Sequence, residues 1–381
     1  MLHTNDNTSR AHRMARSKVS KDISVKFMLE PLAPFFSDPA ITEICVNQPG
    51  TVFVERNGKW CQHDVPQLTF DYLKRLGVAV ATFTDNTFSD STPIVSAVLP
   101  NGERSQFVMP PACKQDTISV TIRKPSTQIR TLQSYIDSGF FNHVKFDQKL
   151  SDADEELLGI QAQLQQALHS TSAQDATNTA GEPSKQSAEL QALFLHRAVE
   201  LGKNIVIAGE TGSGKTTFMK TLMQAIPTSE RIITIEDVPE LMWGLPNHKN
   251  QVNLLYPSEA TENSTITAAS LMRSCLRMKP DRILLAELRG GETFDFLNVC
   301  LSGHGGTITS CHAGTCKGVF DYLALKVMQS PIGNALPFET IMRLLYTVLD
   351  VVVCMHNDKK NGFGRHITEL WYDPQAKYRD L

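Results

Sequence analysis

Asn204-Ile-Val-Ile-Ala208 runs straight into Gly209-Glu-Thr-Gly-Ser-Gly-Lys-Thr216, and a helical stretch from Thr216 to Ala225 follows. This is a full G-x-x-x-x-G-K-T loop set between a strand and a helix. A triphosphate carries several negative charges that must be held without burying an equal number of basic side chains. Glycines let successive backbone N–H groups turn inward, and the helix that follows adds its positive N-terminal end. The cradle comprises Gly209, Glu210, Thr211, Gly212, Ser213, Gly214, Lys215, Thr216 and Thr217. Lys215 reaches the β and γ phosphates as a point charge, and the Thr216 hydroxyl is placed to ligate Mg²⁺. The spacing therefore predicts a nucleotide with Mg²⁺, held on an α/β fold, and by itself does not distinguish kinase, GTPase or motor.

The residues on either side of the loop support that fold. Short apolar strands are expected at Asn204–Ala208, Arg231–Glu236, Arg282–Ala286, Thr307–Ser310 and Val348–Met355, with helices between them, which describes a mostly parallel sheet covered by helices. Two strands end on an acid: Ile232-Ile-Thr-Ile-Glu236 and Ile283-Leu-Leu-Ala-Glu287. Open α/β sheets bind ligands at the carboxyl ends of their strands. A carboxylate there can hold Mg²⁺ or orient the water that attacks phosphorus. Either acid alone reads as a surface or capping residue; two downstream of a phosphate loop read as chemistry.

Upstream, residues 23–149 form a mixed α/β domain. Ile41–Asn47 and Thr51–Arg56 alternate as strands, and Asn57-Gly58 signals a hairpin. Thr69 caps a helix to about Phe83 with Leu73, Leu76 and Val80 on one face, and Val95–Leu99 pairs with Gln106–Met109 around Asn101-Gly102. Thr117–Arg123 is a further strand, stopped by Pro125. Residues 150–187 read as a linker, in which Gln161–Ala167 could extend a helix and Ser170–Ser187 turn polar and small, and 188–381 form the phosphate-loop domain. Residues 1–22 carry Arg10, Arg13, Arg16, Lys18 and Lys21 and read as a solvated tail, or as a weak tether to anionic lipid.

Of the 381 residues, 41% are hydrophobic and 20% charged, an ordinary globular composition. A net charge of −3 gives no support to a nucleic-acid surface over the whole molecule, and no sequence-specific nucleic-acid binding is expected. No secretory leader and no apolar run of about 18 residues is visible, so the expected location is cytoplasmic, with the eight cysteines as thiols.

Together these stretches resemble the superfamily of hexameric secretion ATPases shared by type IV secretion, type II secretion and type IV pilus motors. The resemblance is carried by the phosphate loop, TIEDVPEL at 234–241, RMKPDRILLAELRGGE at 277–292 and SGHGGTITSCHAG at 302–314. It extends upstream through ITEICVNQPGTVFVERNGKW at 41–60, LPNGERSQFVMPPA at 99–112 and ISVTIRKPS at 118–126. Glu287-Leu-Arg-Gly-Gly-Glu292 looks like the type IV secretion and conjugation branch.

The resemblance implies a PAS-like mixed α/β N-terminal domain, a RecA-like C-terminal domain and a hexameric ring. It implies work on pilus assembly and on transfer of protein or DNA, beside other ATPases and inner-membrane components of the machine, with peripheral attachment to the inner membrane. A pilus extension or retraction motor is the nearest alternative, and a nucleotide-gated scaffold with little turnover is one of another class. Glu287 is then the residue expected to activate water, with Glu236 assisting at metal or water. His312 senses phosphate, Arg104 and Arg123 reach phosphate from the N-terminal domain, and Arg289 supports Glu287 or meets nucleotide; His304 has a weaker claim. Cys300-x₃-His304 with Cys311-x₄-Cys316 approaches zinc-ligand spacing, but the histidine box accounts for both histidines and no stoichiometric zinc is expected of the protein.

Overall fold

The computed structural model describes residues 21–126, 128–144, 150–174, 185–259 and 264–378. The basic tail therefore lies almost wholly outside the described residues, as do residues 175–184 of the expected linker. By contacts, the chain forms two compact units. One comprises the residues up to 127 together with 229–239 and 248–281; the other comprises 128–228, 240–247 and 282–381.

The first unit is built on a six-stranded antiparallel sheet in the order β3-β2-β1-β6-β5-β4. Its strands are β1 (Ile41–Gln48), β2 (Thr51–Arg56), β3 (Lys59–Asp64), β4 (Ile94–Val98), β5 (Arg104–Val108) and β6 (Ser119–Arg123). Asn57 and Gly58 both take positive φ, 51° and 74°, which gives the right-handed twist a tight β2–β3 hairpin needs. The Thr69 hydroxyl accepts from Tyr72 N at 3.2 Å and starts the helix Phe70–Phe83. Its Leu73, Leu76 and Val80 are fully buried with Ile44, Val52, Val54, Phe107 and Ile122 from the sheet.

Two later strands belong to the same unit. They are β8 (Ile232–Glu236) and β9 (Gln251–Leu255), paired in parallel. Arg231, at the mouth of β8, is the bulkiest side chain with no exposure at all. Its Nη1 donates to Asn47 Oδ1 at 2.7 Å and Asn250 Oδ1 at 2.6 Å, and its Nε to the Met278 carbonyl at 2.9 Å. Asp281 Oδ2 accepts both Arg231 N at 2.7 Å and Trp60 Nε1 at 2.9 Å. Burying a guanidinium is tolerable only when its donors are answered in this way. Arg231→Ala strips the donor from Asn47 Oδ1 and from the Met278 carbonyl, so a loss of about 3 kcal/mol is expected. A lowered urea midpoint measures it; a loss below about 1 kcal/mol would mean that water replaces the guanidinium.

In the second unit, β7 (Ile205–Gly209) lies between β11 (Ile308–Cys311) and β12 (Val351–Asp358), parallel to both. At the edge, β13 (Gly364–Tyr372) runs antiparallel to β12. The strand β10 (Arg282–Leu285) is fixed through Ile283, whose carbonyl accepts the Thr307 hydroxyl at 2.5 Å. All five strands expected of the C-terminal half are present within a few residues of their predicted bounds. The edge strand β13 was not foreseen, because Arg365, His366, Thr368 and Glu369 interrupt its apolar pattern.

The stretch expected as linker is largely a helix, Asp152–Gln174, of 23 residues. Its Leu157 and Ala167 are buried, as Ile160 nearly is, and it packs on the helix Lys185–Glu200. Asp154 anchors it, accepting from Lys203 Nζ at 2.6 Å, Tyr372 OH at 2.9 Å and Ser151 Oγ at 2.6 Å. Burial acts to raise the Asp154 pKa, but those bonds outweigh it and hold the carboxyl at about 2. The helix expected over Gln161–Ala167 is thus part of a longer one, whose remainder was hidden by acidic, small and polar residues. Among the described residues no helix is long and apolar enough to cross a membrane.

Candidate nucleotide-binding site

The loop after β7 owes its shape to three glycines. Gly212 and Gly214 take φ of 84° and 95°, the left-handed region that side chains avoid. At Gly209, a Cβ would be driven into the Met355 carbonyl oxygen and would sit 2.7 Å from Ser213 Oγ. The chain therefore passes too close to β12 for any residue but glycine. Gly214 leads into the helix Lys215–Met223, so the loop delivers its backbone to a helix N-terminus.

Lys215 is 9% exposed, and its Nζ donates to the Gly209 carbonyl at 2.7 Å and the Glu210 carbonyl at 3.2 Å. Its pKa is lowered, chiefly by burial and further by Arg289, against the pull of Glu287, Cys311 and Glu210. Thr216, half-buried, and Thr217, exposed, follow in the first helical turn. Ser213 Oγ donates to the Glu210 carbonyl at 2.8 Å and closes the loop on itself.

A second layer braces the loop from the β12–β13 hairpin. Arg365 Nε donates to the Gly212 carbonyl at 3.1 Å, and Asn357 Nδ2 to the same oxygen at 3.4 Å. His356 Nδ1 lies 3.0 Å from Glu210 Oε1, which also accepts Asn357 N at 3.3 Å. None of these was singled out in the sequence. Asn361-Gly362 in the turn was the available hairpin signal, with Gly362 at φ 82°.

The same unit assembles three residues chosen from two motifs. Glu287, just beyond β10, has a side chain 13% exposed; its Oε1 lies 2.8 Å from His312 Nε2, and its Oε2 accepts Arg289 Nη2 at 2.8 Å. Leu288 N donates to the Ser310 carbonyl at 2.8 Å, and Ser310 Oγ to the Ala286 carbonyl at 2.8 Å, so the Glu287 segment is stitched to β11. Glu292 Oε1 accepts Arg289 N at 2.6 Å and Gly290 N at 2.7 Å, which fixes the turn that carries Arg289. His304 meets Ser302 Oγ at 3.4 Å through Nδ1.

The remaining three candidates belong to the first unit. Glu236 ends β8, fully buried, where its Oε1 lies 3.3 Å from the Thr234 hydroxyl. Arg104 and Arg123 are direct partners across β5 and β6, and both are exposed. Arg123 Nε lies 3.6 Å from Glu43 Oε1. Burial pushes Glu43 up to about 7, with the Arg123 charge pulling the other way.

A glycine cradle that a Cβ would fill, a buried ammonium and a first-turn threonine hydroxyl fit a nucleotide phosphate with Mg²⁺. No motif in the chain argues against that chemistry.

Comparison with known proteins gives the family. Residues 166–360 match the profile of the family described as Type II/IV secretion system protein. The chain is 54% identical to the type IV secretion system protein VirB11 of Brucella abortus biovar 1 (strain 9-941), over 94% of this chain and 92% of that one. It is 39% identical to the type IV secretion system protein PtlH of Bordetella pertussis, over 92% and 96% respectively. The crystal structure of the VirB11 ATPase from the Brucella suis type IV secretion system, in complex with sulphate, superposes with a TM-score of 0.84. It is 53% identical and covers 95% of this chain and 98% of that chain. The fold is accordingly a mixed α/β N-terminal domain with a RecA-like C-terminal domain. By identity along nearly its whole length and by its fold, the chain belongs to the type II/IV secretion system protein family, in its VirB11 group.

Proposed function

We propose that the protein is a Mg²⁺-dependent ATPase motor of a type IV secretion machine, working as a homohexamer through nucleotide-driven domain closure. The observation that carries this reading is the grouping of Glu287, His312 and Arg289 in the unit that holds the Lys215 loop. Similarity to the VirB11 ATPase supports it. Glycine-lined backbone and Lys215 bind the phosphates, and the Thr216 hydroxyl would hold Mg²⁺, which would supply charge neutralisation on the phosphate oxygens. Glu287 orients and deprotonates the attacking water, with its carboxylate aimed by Arg289 and His312. His312, in contact with that carboxylate, reports the state of the γ-phosphate. Other ATPases and inner-membrane components of the machine are the partners, at the cytoplasmic face of the inner membrane.

Arg104 and Arg123 stabilise phosphoryl charge when the N-terminal domain closes, a role suited to planar guanidinium groups. An arginine that meets charge as it redistributes affects turnover more than binding. Arg123→Ala is expected to lower steady-state phosphate release about tenfold, and the double change with Arg104→Ala about a hundredfold, with nucleotide affinity changed far less. Unchanged release in the double variant removes closure from the mechanism. Phosphate release at background level in the wild type would instead make the protein a nucleotide-gated scaffold.

A further inference from the structure

The histidine-box cysteines do not gather as their spacing suggests. Cys311 and Cys354 are both in register with Ala208, on opposite sides of β7. Cys316 instead joins Cys354 and Glu369: one ligand atom from each lies within 4.8 Å of the others, and among the described residues they are the one group of this kind. Three elements deliver them. Cys316 is the first residue of the helix Cys316–Val327, started by the Thr315 hydroxyl, which accepts from Gly318 N at 3.0 Å. Cys354 sits on β12, and Glu369 is its direct cross-strand partner on β13. Both thiols are buried, at 6% and 1% exposure, while Glu369 is exposed. Glu369 Oε2 accepts Cys316 N at 2.7 Å, which aims the carboxylate at the thiol pair.

We propose that Cys316, Cys354 and Glu369 form a binding site for a thiophilic divalent cation of the zinc class. Zinc–sulfur bonds of about 2.3 Å and zinc–oxygen bonds of about 2.0–2.2 Å bring tetrahedral ligand atoms within about 4 Å of one another. The observed spread, within 4.8 Å, is less than 1 Å wider than that. Two thiolates with one carboxylate exclude Mg²⁺ and Ca²⁺, which take oxygen ligands, so the site does not compete for the metal of the nucleotide. On binding, both thiols release their protons to solvent while the carboxylate is already ionised. The complex then carries one net negative charge, and the N-terminus of the 12-residue helix beginning at Cys316 stabilises it. The fourth position opens beside exposed Glu369 and takes water. The two thiols already interact: the bond to Cys354, and after it burial, raises the Cys316 pKa, while that same bond lowers the pKa of Cys354. Loading would pin β12 one residue before Met355, whose carbonyl packs on Gly209.

The test uses the full-length protein without nucleotide, reduced with a phosphine, stripped by chelator and titrated with zinc chloride against a chromophoric zinc indicator. Wild type is expected to take up about one zinc per chain, and its cobalt(II) form to show thiolate-to-metal charge-transfer absorption. Cys354→Ser is expected to weaken zinc at least about a hundredfold, Glu369→Gln about tenfold, and Cys61→Ser, on an exposed strand, not at all. Thermal melting establishes that each variant is folded; Glu369→Gln lies at the surface and keeps the test valid if a cysteine variant does not fold. Equal uptake by wild type and both Glu369→Gln and Cys354→Ser, no uptake by wild type, or a cobalt form without the thiolate band overturns the site.

Discussion

Lys215→Ala abolishes Mg²⁺-dependent ATP hydrolysis, with an expected fall of about 10³-fold or more, to background. The ammonium is nearly buried and sits on the Gly209 and Glu210 carbonyls, inside the curve of the loop. Phosphates entering that curve replace neutral oxygens as its partners, and a charge-assisted bond in a water-poor site is far stronger than a neutral one. Alanine leaves the backbone amides in place, but it removes the only strong positive charge that the motif itself supplies. The substitution favours the helix at this position, so lost activity is not lost structure. Steady-state phosphate release with a thermal melt on the same sample checks the claim. Turnover within a few-fold of wild type would end the phosphate-loop reading.

Glu287→Gln is expected to keep nucleotide affinity while cutting turnover by roughly 10²–10⁴-fold, the range for loss of a general base. The amide preserves shape but removes the anion that accepts Arg289 and lies beside His312. Glu236→Gln should be milder, or should raise the Mg²⁺ concentration needed. Single-turnover hydrolysis measured across a Mg²⁺ titration separates the two acids. A Glu236→Gln protein that binds Mg²⁺ normally yet fails to turn over, beside an active Glu287→Gln, reverses their roles.

What was legible in advance depended on the range of the interaction. The phosphate loop, the Thr69 cap and the Asn57-Gly58 turn are set by contacts within a few residues, and each stands where its motif puts it. The company of Glu287, Arg289 and His312 was only half legible. Each ends or follows a strand, but their convergence depends on how β10 and β11 are stitched, which no local pattern encodes. The first unit's claim on β8 and β9 was not legible either. It rests partly on one arginine, and Arg231 in sequence is merely a charge before an apolar run. Most of the helix Asp152–Gln174 was hidden by its composition. The Cys316–Cys354–Glu369 group was hidden by distance along the chain, since a nearer set of cysteines and histidines drew the eye to its spacing.

The bracing of the loop by β12 and β13 carries a mechanical meaning. Four contacts, from His356, Asn357 and Arg365, fasten Glu210 and Gly212 to a hairpin encoded more than a hundred residues downstream. Hydrogen bonds of about 3 Å weaken steeply when stretched, so a shift of about 1 Å in the loop must either break them or drag the hairpin along. The loop's rigidity is thus borrowed, and the lender extends to an exposed tip bearing Phe363, 72% exposed. The hairpin is a lever with its short arm on the phosphates and its long arm in solvent. A displacement of the cradle would reach that tip through the same four contacts, and a displacement of the tip would reach the cradle.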